Sequence, residues 1–197
     1  MRGALVAVIV LVVLVVGVVM WGVRVQNDLV RLDQDVNEKW AQVQNVYQRR
    51  ADLIPNLVET VKGFAAQERT VLTEVTQARA SASSIKLTPE ALNDPQAMQK
   101  FAAAQGQLSG ALSRLLVTVE RYPELKSNQN FLTLQSQLEG TENRITVERQ
   151  RYNEAVRNYN TRLRTFPASL VAGMMGFRPK AFFEAAPGSE TAPKVKF

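Results

Sequence analysis

From Gly3 to Val23 the chain reads GALVAVIVLVVLVVGVVMWGV, with Arg2 before it, Arg24 after it and no charged residue inside. At about 1.5 Å of rise per residue a helix of this length spans roughly 30 Å, the hydrocarbon thickness of a bilayer. Its Val and Ile favour strand in water. Lipid overrides that preference, because a lone spanning segment satisfies its backbone N–H and C=O groups only as a helix. Trp21 marks the downstream edge, where an indole prefers the headgroup zone. A cleaved signal peptide has a shorter apolar core and a small-residue cleavage site; this run is longer and no such site follows it. The expected organisation is a transmembrane anchor over residues 1–24, a folded domain over 25–184 and a disordered tail over 185–197, where Ala-Pro-Gly-Ser-Glu-Thr-Ala-Pro-Lys begins at Ala186.

The sequence contains no Cys and no His. That removes disulfides, thiol nucleophiles, imidazole acid–base chemistry and the usual zinc ligands together. The net charge is +6, an excess that suits anionic headgroups as well as nucleic acid. Arg2 precedes the anchor, whereas Arg24, Arg31 and Lys39 follow it. This asymmetry places the bulk of the chain on the cytoplasmic side of a plasma (inner) membrane.

Helical periodicity runs unbroken from Asn27 to Ser84. Leu29, Val36, Val43, Leu57, Phe64, Val71 and Ala78 recur every seventh residue, and Arg50 is the one non-apolar member of the row. Pro55 interrupts the run. An interior proline removes a hydrogen bond and kinks or ends a helix; the unbroken phase argues for a kinked single helix, but one helix of this length would outrun any later helix, so a sharp turn is the favoured expectation, with Asp52 capping a new helix. Small polar residues and Pro89 mark a loop after Ser84, and Asn93 or Asp94 caps the next helix. That helix runs from about Gln96 to Tyr122, with Phe101, Ala104, Leu108, Leu112, Leu115 and Val119 on one face. Gly106 and Gly110, four apart, suggest a close helix crossing. A further helix starts after Asn128, with Phe131, Leu138, Ile145, Tyr152, Tyr159 and Phe166 at seven-residue spacing, and ends at Pro167. A short apolar segment follows to Phe183. The expected class is all-α: an N-terminal transmembrane helix and then an antiparallel four-helix bundle.

Several stretches resemble the LemA family. They are Trp40-Ala41-Gln42-Val43, Arg49-Arg50-Ala51-Asp52-Leu53-Ile54-Pro55-Asn56-Leu57, Ala78-Arg79-Ala80, Glu120-Arg121-Tyr122-Pro123-Glu124-Leu125-Lys126, Gly140-Thr141-Glu142-Asn143-Arg144-Ile145 and Arg151-Tyr152-Asn153-Glu154-Ala155-Val156-Arg157-Asn158-Tyr159-Asn160. The resemblance implies a single-pass bacterial membrane protein carrying a helical bundle, with no established enzymatic activity and with membrane proteases as one class of neighbour.

Four features are candidate sites. Arg49, Arg50, Asp52, Pro55 and Asn56 read as a structural corner, with Arg50 paired to Asp52. Tyr152-Asn153 and Tyr159-Asn160 read as buried tyrosines, each hydroxyl satisfied by a neighbouring Asn. The arginines after Asn143 alternate with Glu148 and Glu154, and Asp28, Asp33, Asp35 and Glu38 can pair with them, so no nucleic-acid partner is expected. Leu29, Leu32, Val36 and Trp40 are expected to remain uncovered and to carry homo-oligomer contacts. No catalytic constellation, metal ligand set or cofactor motif emerges. The functional expectation is a non-enzymatic, membrane-tethered scaffold that self-assembles. The alternatives are an adaptor delivering clients to a membrane protease, and an enzyme or ligand-binding protein with an unrecognised site. A deep polar pocket would favour the last, and an uncovered apolar stripe would favour assembly.

Overall fold

The computed structural model describes residues 2–184. The tail expected over 185–197 lies outside them. Among the described residues the chain is all-α, without a strand.

Helix α1 is continuous over Arg2–Phe64 and contains Pro55. Its first turns form the apolar run, with an 18-residue window of mean hydropathy 3.1 and none of that window buried. Leu5 and the large apolar side chains that follow it stay exposed as far as Val23, and Val25 is the first buried residue. The helix therefore passes directly from a lipid-length segment into the core of the domain.

The turn expected at Pro55 is absent. The chain reverses instead at 65–68, where the Glu68 amide donates to Ala65 O at 3.0 Å. Two observations explain why Pro55 is tolerated. Proline has no N–H to give the carbonyl four residues back, which is Ala51 O. Arg79 Nε, from the next helix, donates to that same oxygen at 2.7 Å. In addition, Ile54, Leu57, Val61 and Ala65 are all buried, at 1% exposure or less, so the continuous helix keeps one buried face beside and beyond the proline. Phe64, expected in the apolar row, is 42% exposed because the helix ends there.

Helix α2 (Arg69–Ser84) folds back along the far part of α1. After a 3-10 turn at Ala91–Asn93, α3 (Pro95–Val119) packs antiparallel to α2. Asp94, rather than Asn93, caps α3 by accepting from the Gln96 amide at 2.9 Å. Short α4 (Pro123–Lys126) leads to α5 (Gln129–Arg164), capped by Asn128, which accepts from the Asn130 and Phe131 amides. Helix α5 runs antiparallel to α1: Arg162 meets Asp28 at one end and Glu142 meets Arg50 at the other. Helix α6 (Ala168–Met175) ends at Gly176, whose φ of 74° is the left-handed conformation glycine adopts most readily. Residues 177–184 then run extended, without helix.

Two apolar clusters result. One gathers Val25, Leu29, Val36, Trp40 and Val43 with Phe101, Tyr152, Tyr159 and Phe183. The other gathers Ile54, Leu57 and Val61 with Val75, Leu108, Leu115, Leu125 and Phe131.

Three expectations need correction. Leu29 and Val36 are fully buried and Trp40 is 3% exposed, while Leu32 is half-buried, so these residues are a core face and not a free surface. The loop before α3 and the extended 177–184 segment fold over them. Trp40 Nε1 donates to Leu87 O at 3.3 Å, and its ring meets Phe101, Tyr152 and Phe183 with centroids 5.3–5.9 Å apart. Gly106 and Gly110 mark no helix crossing: a Cβ at Gly106 would meet nothing within 4 Å, and one at Gly110 only the Arg114 guanidinium. Phe166, expected in the buried row of α5, is 76% exposed, because the row leaves the core where α5 ends.

Candidate binding cleft

Arg50 occupies an apolar heptad position and is 1% exposed. Its Nη1 donates to Ser109 Oγ and Glu142 Oε2, both at 2.9 Å. Its Nη2 donates to Gln105 Oε1 at 2.5 Å and Gln105 O at 3.3 Å. The guanidinium also lies 5.1 Å from the centroid of the Tyr47 ring. The expected Arg50–Asp52 pair does not form, because residues two apart on a helix point to different faces. Asp52 caps nothing and accepts from Gln48 Nε2 on the surface at 2.7 Å. Arg49, Pro55 and Asn56 are exposed. These five residues belong to one continuous helix, and only Arg50 points inward.

Arg50 sits where the two clusters meet and forms part of the floor of a cleft of about 810 Å³ between α3 and α5. Gly106 lines the α3 wall, where its missing side chain leaves open space. Five cations line the cleft (Arg50, Lys100, Arg149, Arg164, Lys180) against two carboxylates, Glu142 and Glu184. Arg50 Nε and Asn93 Oδ1, both on lining residues, are buried without a hydrogen-bond partner. Such groups are costly to leave unsatisfied.

One wall is the extended segment 178–184, strapped onto α5 by the two Tyr-Asn pairs. Asn160 Nδ2 donates to Lys180 O and its Oδ1 accepts from the Lys180 amide, both at 2.9 Å. Asn153 repeats this with Phe183, at 2.9 and 2.8 Å. The Tyr152 hydroxyl donates to Ala181 O and the Tyr159 hydroxyl to Arg178 O, each at 3.0 Å. Seven helical residues rise about 10.5 Å and three extended residues advance about 10 Å. The seven-residue repeat on α5 therefore matches a three-residue repeat on the strap. The tyrosines are buried as expected, but their partners are strap carbonyls and not the adjacent asparagines. Burial pushes both phenols up, and the Asp33 charge adds to the effect at Tyr159, which reaches about 12.

The strap is fixed at other points too. The Ala181 amide donates to Leu92 O at 2.7 Å, and Lys180 Nζ pairs with Asp33 Oδ1 at 3.1 Å. The Arg149 guanidinium lies 4.7 Å from the Phe183 ring centroid. Of the four acids expected to face the arginines of α5, Asp28 does so: Arg162 Nε donates to it at 2.7 Å and holds its carboxyl below the usual range. Asp33 meets the strap lysine, while Asp35 and Glu38 pair with Lys39.

Among the described residues no group of three or more His, Cys, Asp or Glu is placed to hold a metal ion. The fold and the cleft define an all-α protein whose longest helix carries both a membrane-length apolar segment and part of the floor of a cleft lined by apolar and charged side chains. A family model described as the LemA family matches residues 39–197, and the chain belongs to that family. No curated protein matches it closely enough to stand as a relative.

Proposed function

We propose that this LemA-family chain is a non-enzymatic, membrane-tethered adaptor whose cleft holds an extended, carboxylate-bearing segment of a partner protein. The strap is the observation that carries this reading. One cleft wall already binds an extended main chain through side-chain amides at matched spacing, and the space beside it remains open. Carboxylates suit a lining in which Lys100, Arg149 and Arg164 form no ion pair among the described residues. The absence of His and Cys from the chain favours binding over acid–base or nucleophilic chemistry.

The charge asymmetry flanking the apolar run supports a cytoplasmic domain on a plasma membrane. Lateral self-association is assigned to the anchor, whose side chains are exposed, and not to the Leu29–Trp40 face, which is buried. Tethering raises the local concentration that such contacts need.

The test uses the full chain in lipid nanodiscs and an array of extended peptides with and without acidic side chains. The expected result is selective retention of acidic peptides, lost in Lys100→Glu and unchanged in Lys62→Glu, which lies outside the cleft. Equal retention of neutral peptides, or loss in both variants alike, contradicts the reading.

A further inference from the structure

Helix α6 has two unlike sides. Ala168 and Ala172 are buried, at 0% and 3% exposure, in the cluster that contains Val25 and Leu29. Leu170 and Met174, four residues apart and so on one stripe, are 59% and 89% exposed. Phe166, just before the helix, is 76% exposed, and Met175 is 50% exposed. Single exposed apolar residues are ordinary, but a grouped set on one short element calls for a partner.

Its position along α1 says which partner. Because α1 is continuous from Arg2 to Phe64, residue number along it measures height above the apolar run. Arg162 bonds Asp28, and α5 ends at Arg164. The chain therefore enters α6 at the level of the residues just before Asp28. Val23 to Asp28 corresponds to roughly 7.5 Å of helix. The polar zone outside the hydrocarbon core is itself about 5–8 Å thick on each side. The exposed side of α6 thus begins where that zone lies. Exposed Arg24 stands at the edge of the same zone, as a cation does beside anionic headgroups.

We infer that Phe166, Leu170 and Met174 seat α6 in the interfacial zone of the bilayer that α1 spans, giving the domain a second, monotopic contact with lipid. This rests on the reading of residues before Arg24 as a membrane span. A helix lying at the headgroup–acyl boundary with its apolar side down is a recognised mode of attachment. Two contacts, one along α1 and one beside it, fix the tilt and rotation of the domain. The strap continues directly from α6 through Gly176, so the same seat sets which way the cleft faces.

The native chain has no cysteine, so single labels are unambiguous. Leu170→Cys, Met174→Cys, Leu11→Cys and Val117→Cys are each introduced into the full chain, labelled with an environment-sensitive fluorophore, and reconstituted into phosphatidylcholine–phosphatidylglycerol vesicles. The readouts are quenching by lipids brominated on the acyl chain and by aqueous iodide. The expected result is severalfold greater loss of fluorescence to brominated lipid at Leu170 and Met174 than at Val117, with Leu11 quenched most. If Leu170 and Met174 behave like Val117 while Leu11 is quenched, the anchor stands and the seat on lipid is wrong. Protection of Leu170 and Met174 from both quenchers means that protein covers the face, and also overturns it. An unquenched Leu11 removes the span itself, and the inference with it.

Discussion

The part of α1 nearest the apolar run and the part beyond Arg50 share one seven-residue rhythm but pack against different chemistry. In the near part, Trp40, Tyr47, Phe101, Tyr152 and Phe183 meet with ring centroids 5.3–6.2 Å apart, and directional bonds from α5 hold the strap. In the far part, Leu57, Val61, Val75, Leu108, Leu115 and Leu125 bury aliphatic surface. Area burial is non-directional, so the far cluster stabilises the chain without dictating one arrangement of a surface segment. Aromatic edges and paired amides are directional. They fix the strap, and the strap forms one wall of the cleft. Directional contacts dominate the near part, aliphatic burial dominates the far part, and Arg50 stands between them.

Removing the residue between the two clusters has the largest expected effect. Arg50→Ala leaves a cavity and strands Gln105 and Ser109, destabilising the domain by about 3 kcal/mol in chemical denaturation. Glu142 is 51% exposed, so Glu142→Gln loses less than about 1 kcal/mol. Equal losses would show that the charge pair matters more than the filled volume and the Gln105 bonds. Next in size is Asn160→Ala, which removes both bonds to Lys180 for about 2 kcal/mol. Hydrogen exchange is expected to accelerate in the strap and the near cluster and to stay unchanged around Leu57 and Leu115. Uniform acceleration would erase the distinction between the two clusters.

Alkaline titration probes the same difference. The folded state holds the Tyr152 and Tyr159 phenols above the ordinary value of 10.0, Tyr159 at about 12. The neutral phenols therefore contribute stability that is whole below pH 10 and is lost as pH rises towards 12, at up to about 1.4 kcal/mol per pH unit per phenol. Tyrosinate absorbance should rise with strap release, and in Tyr159→Phe the remaining transition should shrink. A transition unchanged in that variant contradicts the assignment. A small effect is also expected at Arg79→Met, which deprives Ala51 O of its donor for about 1 kcal/mol. Adding Pro55→Ala restores an N–H to that oxygen, so the double variant should recover most of the loss. Strict additivity would mean that Arg79 does not stand in for the missing amide.

Much of the fold is legible because periodicity reports burial directly. Val43 and Leu57 on α1, and Phe131, Leu138, Ile145, Tyr152 and Tyr159 on α5, are buried as their spacing requires. Pro55 misleads because its effect depends on whether a distant side chain replaces the lost donor, and nothing local to the proline announces Arg79. The Leu29–Trp40 face misleads for a related reason: α5 and α6 cover its Leu29 end, and its Trp40 end meets the strap, whose backbone has no periodic signature. The cleft is partly foreshadowed. An arginine in an apolar row signals a buried partner, and a Tyr-Asn pair repeated at seven residues signals something alongside α5. Neither identifies Glu142, Gln105 or Lys180, which lie far along the chain.

The central claim is that one unbroken helix carries the apolar run through Pro55 to the far cluster. Spin labels at Gln42→Cys and Lys62→Cys, both exposed and on either side of Pro55, measure it directly in the membrane-reconstituted chain. A continuous helix places them about 30 Å apart. A chain that turned at Pro55 would bring them to about 15 Å, and a distribution centred there would contradict the account.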